Sequence, residues 1–297
     1  MTKMTIAVVA PGDMGHGVGR ALREQGHDVI TCLAGRSERS RKLAEAGGLR
    51  DVGDMETLVG DADLFLSILP PASALDLARD IAAAMTAAGS FPTYVDCNAI
   101  SPATAKQVAA VIEGAGAPFI DCGIVGPAPG KGTPRFYVSG PDIGAMEALD
   151  GCGFQVKSAG TEVGQASAVK MCYAALTKGT FSLHTAVLMA AKSTGAYDTL
   201  MEEFAHSQAG TLAKMEGRVP FIPADAGRWI GEMEEIAQTF RDAGVSGGFH
   251  DGAAWVMRVL ADTPFAAETR ETLDRSRGLD ASIAEYLNHR DAGEPKS

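Results

Sequence analysis

The sequence predicts an α/β N-terminal domain followed by an all-α C-terminal domain. Three observations carry that prediction. Up to about residue 160, short apolar runs alternate with helical patterns, as they do where parallel strands are buried on both faces and joined by helices. From Gly164 onward no strand pattern stands out, and one helical segment follows another. Between the two lies Thr161 to Gly179, with few helix breakers after Gly164, where the chain passes from one half to the other. The boundary is therefore expected between residues 162 and 163, with 1–162 as the α/β domain and 163–297 as the helical domain. A chain of 297 residues with 46% hydrophobic content is long enough to bury two cores.

Charge and composition narrow the function classes. A formal charge of −11 with scattered basic residues leaves no footprint for nucleic acid. No apolar run approaches the roughly 20 residues that span a bilayer, and the N-terminus leads straight into a strand, so neither a membrane partner nor a signal peptide is expected and the chain is read as cytoplasmic. The five cysteines are odd in number and show no Cys-x-x-Cys spacing, and they read as reduced, buried fillers. The six histidines offer no His-x-x-x-His pair, so no metal is expected.

In chain order, Thr5 to Ala10 is a short buried strand. Pro11-Gly-Asp-Met-Gly15 is a tight turn, a helix runs to Gln25, Gly26 closes it, and His27 to Leu33 is a second strand. This βαβ unit marks the first domain as Rossmann-like. Gly12 lets backbone approach a pyrophosphate and Gly15 lets the helix close on the strand. The helix N-terminus that Asp13 and Met14 lead into offers N–H donors to phosphate. Ala10 stands where the usual fingerprint has its first glycine; an ordinary β-to-α turn is the alternative. Beyond the second strand, where NAD sites place an acid, stand Arg36 and Ser37, with Arg39 and Ser40 behind them. A guanidinium fork and hydroxyls suit a 2′-phosphate, so NADP(H) is favoured over NAD(H); a plain loop cap is the alternative for Arg36.

Asp63 to Leu69 is the next strand, ending in Pro70-Pro71 before a helix from about Ala72 to Met85. Thr93 to Cys97 is another, with Asn98 after it and Ser101-Pro102 opening a helix as N-cap and first helical position. Ligands of open α/β sheets bind at strand C-termini, which puts Leu69, Pro70 and Asn98 near the cofactor. Phe119 to Gly123 precedes a glycine- and proline-rich loop, Ile124 to Gly132, that is either a site wall or a long turn before the strand Arg135 to Ser139. On the Thr161 to Gly179 helix, spacing by three and four puts Ser167, Lys170, Tyr173, Ala174 and Thr177 on one face. A lysine partly buried among small and hydroxyl side chains titrates nearer neutrality and can exchange a proton, against the plainer reading of a solvated surface charge.

These residues resemble the 6-phosphogluconate dehydrogenase and β-hydroxyacid dehydrogenase superfamily. Its cofactor turn, Gly-x-Gly-x-Met-Gly, is similar to Ala10-Pro-Gly-Asp-Met-Gly15, and its Gly-His-x-Val strand is similar to Gly26-His-Asp-Val29. Its substrate loop, Asp-x-Pro-Val-Ser-Gly-Gly, falls on Asp121 to Pro127, and its catalytic helix, Gly-x-x-x-x-x-Lys-x-x-x-Asn, falls on Gly164 to Ala174. The lysine is kept as Lys170, but the asparagine is Ala174, the loop serine is Val125, and the second-domain Lys-Asp falls on Gly231-Glu232. The segments Asp96 to Pro102 and Arg228 to Ala237 are similar to a branch whose C-terminal domain carries a domain-of-unknown-function label.

The resemblance implies an oxidoreductase in which hydride passes between nicotinamide and a small hydroxy or keto compound. Lys170 is then the general acid/base, Tyr173 either orients the substrate oxygen or replaces part of the lost asparagine, Ile124, Val125, Gly126 and Glu232 line the substrate, and the helical domain mediates a homodimer. Two other readings stay open: reduction of an imine C=N bond, and an NADP(H)-binding sensor without turnover, for which Ala174 is the argument. In the helical half, breaks are expected at Gly195, Gly217 to Pro223, Gly244 to Gly248 and Thr263-Pro264. Trp229, Glu232 and Glu235 share a helix that could close over the cleft, His250-Asp251 begins another, and the tail Asp291 to Ser297 is expected to be disordered.

Overall fold

The structure, a computed structural model, describes residues 3–269 and 272–294. It divides into two compact units, Met1–Cys172 and Tyr173–Ser297. The division falls inside a helix, because the first turns of that helix are tied to the sheet, as shown below.

In the first unit the alternation of apolar runs and helical patterns resolves into eight strands: β1 (Thr5–Val9), β2 (Asp28–Thr31), β3 (Arg50–Asp51), β4 (Leu64–Ser67), β5 (Thr93–Asp96), β6 (Phe119–Val125), β7 (Arg135–Ser139) and β8 (Gln155–Gly160). They form one sheet in the order β3-β2-β1-β4-β5-β6-β7-β8. Strands β1 to β6 are parallel, β7 is antiparallel to β6, and β8 is parallel to β7. The sequence reading missed β3, which has two exposed residues, and β8, whose residues are exposed or half-buried and lack an apolar run. Chain order reverses at β1, so the C-terminal ends of β1 and β4 flank the switch point of the sheet, where such folds bind ligands.

Side-chain alternation along the strands feeds two cores. Ile6 and Val8 of β1, with Leu64 and Leu66 of β4, pack toward Val18 and Leu22 of α1 (Gly15–Glu24), Ala44 of α2 (Glu38–Gly47) and Met146 of α6 (Gly144–Glu147). Ala7, Val9 and Phe65 point the other way, toward Leu58 of α3 (Met55–Asp61), Leu77 and Ile81 of α4 (Ala74–Ala88) and Val108 of α5 (Pro102–Gly114). Stacked rings of Phe65, Tyr94 and Phe119, with centroids 5.1 and 6.0 Å apart, fill this second core. Helix α4 starts at Ala74, two residues later than expected, because Pro71–Ser73 forms a 3₁₀ turn first.

The second unit is helical. It holds the rest of α7 (Gln165–Ser193), then α8 (Tyr197–Ser207), α9 (Ala209–Arg218), α10 (Pro223–Asp242), α11 (Gly248–Asp262) and α12 (Leu279–Asn288). The expected breaks fall between these helices; the break at Gln208 has no glycine or proline and was not foreseen. Buried Leu188, Val219, Trp229, Met233, Met257, Leu260 and Tyr286 belong to its interior, and the Tyr286 hydroxyl donates to the Val219 carbonyl at 2.9 Å. The tail expectation needs correction: Arg290–Gly293 is a 3₁₀ turn, and Gly293 is buried so close to Trp255 that a Cβ would stand 2.3 Å from the indole. Residues 295–297 lie outside the described residues. Among the described residues no helix is long and apolar enough to cross a membrane.

Candidate active site

The glycine turn is built by its backbone. Ala10 N–H donates to the Ile68 carbonyl at 3.0 Å, tying the end of β1 to the end of β4, and Gly12 N–H donates back to the Ala10 carbonyl at 2.8 Å. A Cβ on Gly15 would stand 2.1 Å from the Ala10 carbonyl oxygen, so only glycine lets α1 start this close to the strand. Gly12 differs: a Cβ there would meet nothing within 4 Å, so the turn borders open space. Helix α1 has no side-chain cap and no acid in its first turn. Its first N–H groups and the positive end of its dipole therefore suit an anion. A bare backbone edge beside an uncapped helix start fits the pyrophosphate of a dinucleotide. Met14, next to Gly15, packs against the core.

At the end of β2 the chain turns through Gly35, whose φ of +68° favours glycine, and Arg36 N–H closes the turn on the Leu33 carbonyl at 3.1 Å. The Arg36 side chain is partly buried. Ser37 is the N-cap of α2, its Oγ accepting from Ser40 N–H at 3.2 Å. Arg39 reaches the glycine turn and donates to Asp13 Oδ1 at 2.7 Å.

At the ends of β4 and β5 a polar clamp replaces the apolar pattern. Asn98 accepts from Leu69 N–H at 2.7 Å and donates through its amide to Ser67 Oγ at 2.9 Å and Asp96 Oδ2 at 3.0 Å. Asn98 was expected near the cofactor, and it does sit at the strand end; its side chain, however, is buried and engaged in holding two strand ends in register. Leu69 is partly buried against the core, and the Pro70 carbonyl accepts from Ser73 N–H at 3.0 Å. Asp96 is fully buried, and burial pushes its carboxyl up to about 7; the hydrogen bonds from Asn98 oppose that rise, and the neighbouring Asp121 charge adds to it.

Asp121 pairs with Asp96 in register on β6 and anchors α7. Its Oδ2 accepts from Gly164 N–H at 2.9 Å, Ser167 N–H at 3.0 Å and Ser139 Oγ at 3.0 Å, while Oδ1 accepts from Ser167 Oγ at 2.6 Å. Ser139 Oγ in turn accepts from Ala166 N–H at 3.0 Å. Burial raises the Asp121 pKa above its usual value, and these hydrogen bonds pull against it. Ser167 therefore belongs to the anchor: fully buried, it is no part of an open face beside the lysine. Gly123 permits the close approach of helix and strand, since a Cβ there would stand 2.7 Å from the Ala166 carbonyl oxygen and 2.8 Å from Lys170 Cβ. One turn past the anchor, Lys170 Nζ donates to the Ile124 carbonyl at 2.7 Å.

Three substrate expectations change. Ile124 packs into the core and Val125 is buried at the end of β6, so their side chains do not present themselves to a ligand; what Ile124 offers is its carbonyl. Gly126 follows with φ +118° and is exposed, leaving main chain as the surface of this loop. Glu232 is buried in the helical unit and forms an ion pair with Lys178 of α7, whose ammonium also lies 4.9 Å from the centre of the Trp229 ring. A carboxylate so placed is committed to the fold of that unit. Tyr173, the first residue of the second unit, is 48% exposed. Sequence reasoning missed Asp96, Ser67 and Ser139 as site-building groups; polar residues closing apolar strands were the available signal.

Comparison with known proteins adds to this geometry. Residues 5–149 match the NAD binding domain of 6-phosphogluconate dehydrogenase. Residues 191–260 match a domain of unknown function (DUF1932). The chain is 29% identical over 203 residues, 67% of its length and 75% of the other's, to an uncharacterised 28.5 kDa protein in the 7S RNA 5′ region of Methanothermus fervidus. The 3-hydroxyisobutyrate dehydrogenase of Mycobacterium tuberculosis, solved with L-serine, shares the fold with a TM-score of 0.66 at 20% identity, covering 95% of this chain and 99% of that one. A variant imine reductase from Myxococcus stipitatus, in complex with NAD+, gives a TM-score of 0.52 at 16% identity, covering 96% and 100%. The match to an NAD binding domain supports a nicotinamide dinucleotide as the ligand of the glycine turn and, with it, an oxidoreductase.

The buried Asp96 gives a pH test. Its folded-state value of about 7 lies above the 3.8 of an unfolded aspartate. Between about pH 4 and 7 the folded protein holds a proton that the unfolded chain has released, so stability falls as pH rises through that window. Asp96→Asn removes this dependence. Urea unfolding at the two ends of the window should show the wild type losing on the order of a few kcal/mol relative to the variant; parallel pH profiles would show that Asp96 is ionised in both states.

Proposed function

We propose that the chain is an NADP(H)-dependent oxidoreductase acting between nicotinamide and a small hydroxy or keto compound, with Lys170 as the general acid/base. The observation that carries the reading is Lys170 itself, held at 2.7 Å on the Ile124 carbonyl where β6 ends, on a helix whose start is fixed to the same strand. When bound, the cofactor supplies or accepts hydride. In oxidation a neutral Lys170 takes the substrate hydroxyl proton, and in reduction its ammonium gives one to the developing alkoxide. The Ile124 carbonyl orients the amine for either transfer. Tyr173, one turn further along α7, is assigned to orient the substrate oxygen, and the main chain at Gly126 to border the substrate.

Imine reduction is the second reading, and a specific observation favours it. Ala174 is a buried apolar residue where the family's asparagine stands, and Val125 is buried where its serine stands, so neither position offers a side chain that could hold a substrate carboxylate. The likeness to an imine reductase shows that this fold supports such chemistry in another protein. Turnover with hydroxyacids, keto acids and cyclic imines separates the two readings, and a protein that binds NADPH while turning over none of them would be a sensor.

Lys170→Met should lower turnover by about 10² to 10⁴-fold and leave NADPH affinity within a few-fold, because the amine acts on substrate and not on the dinucleotide. Near-normal turnover of the folded variant would remove the catalytic role. For the cofactor, Arg36 and Ser37 support a 2′-phosphate site, giving NADPH over NADH by roughly tenfold to several hundredfold. Arg36→Asp takes away the phosphate's partner and supplies the acceptor that a free 2′-hydroxyl needs, so the preference should reverse. Fluorescence titration of both variants with both cofactors checks it; an unchanged ratio would move the phosphate site off Arg36.

Self-association through the helical unit completes the proposal. Along α7, Leu176 and Leu183 are 72% and 62% exposed, and on α11 Phe249 is 82% exposed. Between these helices lies an apolar hollow of about 520 Å³ bordered by Leu176, Gly179, Leu183, His250 and Val256. A protruding phenyl ring beside a hollow is self-complementary, since a two-fold axis can seat each ring in the other copy's hollow. The wild type should therefore run as a dimer in light scattering, and Leu183→Glu with Phe249→Glu should give a folded monomer; a monomeric wild type would end this part of the proposal.

A further inference from the structure

Sequence order leaves the end of β2 without an acid, yet the fold brings an acid of the glycine turn against the start of α2. Asp13 lies in the glycine turn, and its Oδ1 accepts from Arg39 Nη2 at 2.7 Å. Arg39 stands in the first turn of α2, two residues beyond its cap Ser37 and three beyond Arg36. The pair therefore joins the segment that suits the pyrophosphate to the segment that suits the 2′ position. Arg39 is 49% and Asp13 35% exposed. Exposed pairs of this kind contribute little to stability and exchange partners readily.

We infer that Asp13 is a specificity-determining residue that moderates the preference for NADP(H), an inference that rests on the dinucleotide reading above. A 2′-phosphate drawn in by Arg36 and Ser37 competes with Asp13 for the Arg39 guanidinium. It also meets the aspartate as a like charge close by. A free 2′-hydroxyl meets the opposite situation, since it needs an acceptor and Asp13 is a carboxylate acceptor on that side. Arg39 thus serves the phosphate of one cofactor and holds the acceptor for the other. The acid usually found at the end of the second strand is supplied instead from the glycine turn.

The test is a set of dissociation constants for NADPH and NADH, measured by fluorescence titration on the full-length wild type and on Asp13→Asn, Arg39→Gln and Arg36→Asp, without any assay of turnover. Asp13→Asn should bind NADPH roughly tenfold tighter and NADH several-fold weaker, and Arg39→Gln should weaken NADPH. If Asp13→Asn leaves both constants within about twofold while Arg36→Asp weakens NADPH, Asp13–Arg39 is only a surface ion pair; the inference fails and the cofactor reading stands. If Asp13→Asn tightens both cofactors by the same factor, its charge faces the shared pyrophosphate and the ribose assignment is overturned. A wild type that binds neither dinucleotide removes the cofactor reading and this inference together.

Discussion

Asp121 receives two backbone N–H groups and two hydroxyls while buried on β6, and the position of Lys170 follows from that arrangement. The first N–H groups of a helix have no partners within it, and here Gly164, Ala166 and Ser167 give theirs to Asp121 and Ser139. A buried carboxylate without such donors would be strongly unfavourable, and a helix start without an acceptor would be a set of buried orphans. Each requirement satisfies the other. The consequence is geometric: with α7 pinned at its first turn and pressed against Gly123, the lysine one turn later can lie only where its stem crosses β6, and its amine meets the Ile124 carbonyl.

The same constraint explains why the compact-unit division falls after Cys172 and not at the start of α7. A helix joined to a sheet by its first turns belongs energetically to that sheet for as long as the tie lasts, and to its own helical neighbours afterwards. The strand ends show a related logic. Within β4, β5 and β6 the residues are buried and mostly apolar, but β4 and β5 finish in groups that must find partners, Ser67 and Asp96, and β6 carries Asp121 in register beside Asp96. Asn98 supplies hydrogen bonds to the first two and takes the Leu69 N–H. Two carboxylates thus sit side by side in register, and the charge of Asp121 helps to keep Asp96 near its protonated form. Raising one acid by the charge of another is tolerable only because Asp121 has the better set of donors.

The sheet and the two-part organisation were legible because hydrophobic periodicity is a local signal. The first βαβ unit, the glycine turn, the Ser101 cap and most helical breaks could be read from windows of a few residues. What escaped was non-local. Strand β8 lacks an apolar run since it is an edge strand with exposed residues, and only its pairing with β7 defines it. Ile124 and Val125 looked like a site wall because a loop with glycine and proline begins just after them, but their strand pairing with Phe136 and Arg135 carries them into the interior. Glu232 matched a motif position, yet its partner Lys178 lies 54 positions earlier, a distance at which spacing says nothing. Asp13 and Arg39 are 26 positions apart and meet for the same reason.

On the proposed reading, Lys170 keeps its role while losing the neighbour that a motif would pair with it. An ammonium has three donors, and an acceptor that does not itself titrate can hold one of them without competing for the proton. Where the family pattern has an asparagine on the next turn, this chain has a buried alanine, and a carboxamide there is gone. The Ile124 carbonyl takes that place from a different element: it is a backbone acceptor, it cannot be protonated at ordinary pH, and the β6–β7 ladder fixes it. A carbonyl in place of a side chain also changes what the site can select. An asparagine can donate to a substrate oxygen as well as accept, whereas a carbonyl only accepts, so recognition of the substrate's own acceptor atoms passes to other groups. On the proposed reading, the serine and asparagine of the family pattern are absent together while the lysine and its anchor remain, which is the pattern expected of a scaffold that keeps proton transfer while altering the substrate it serves.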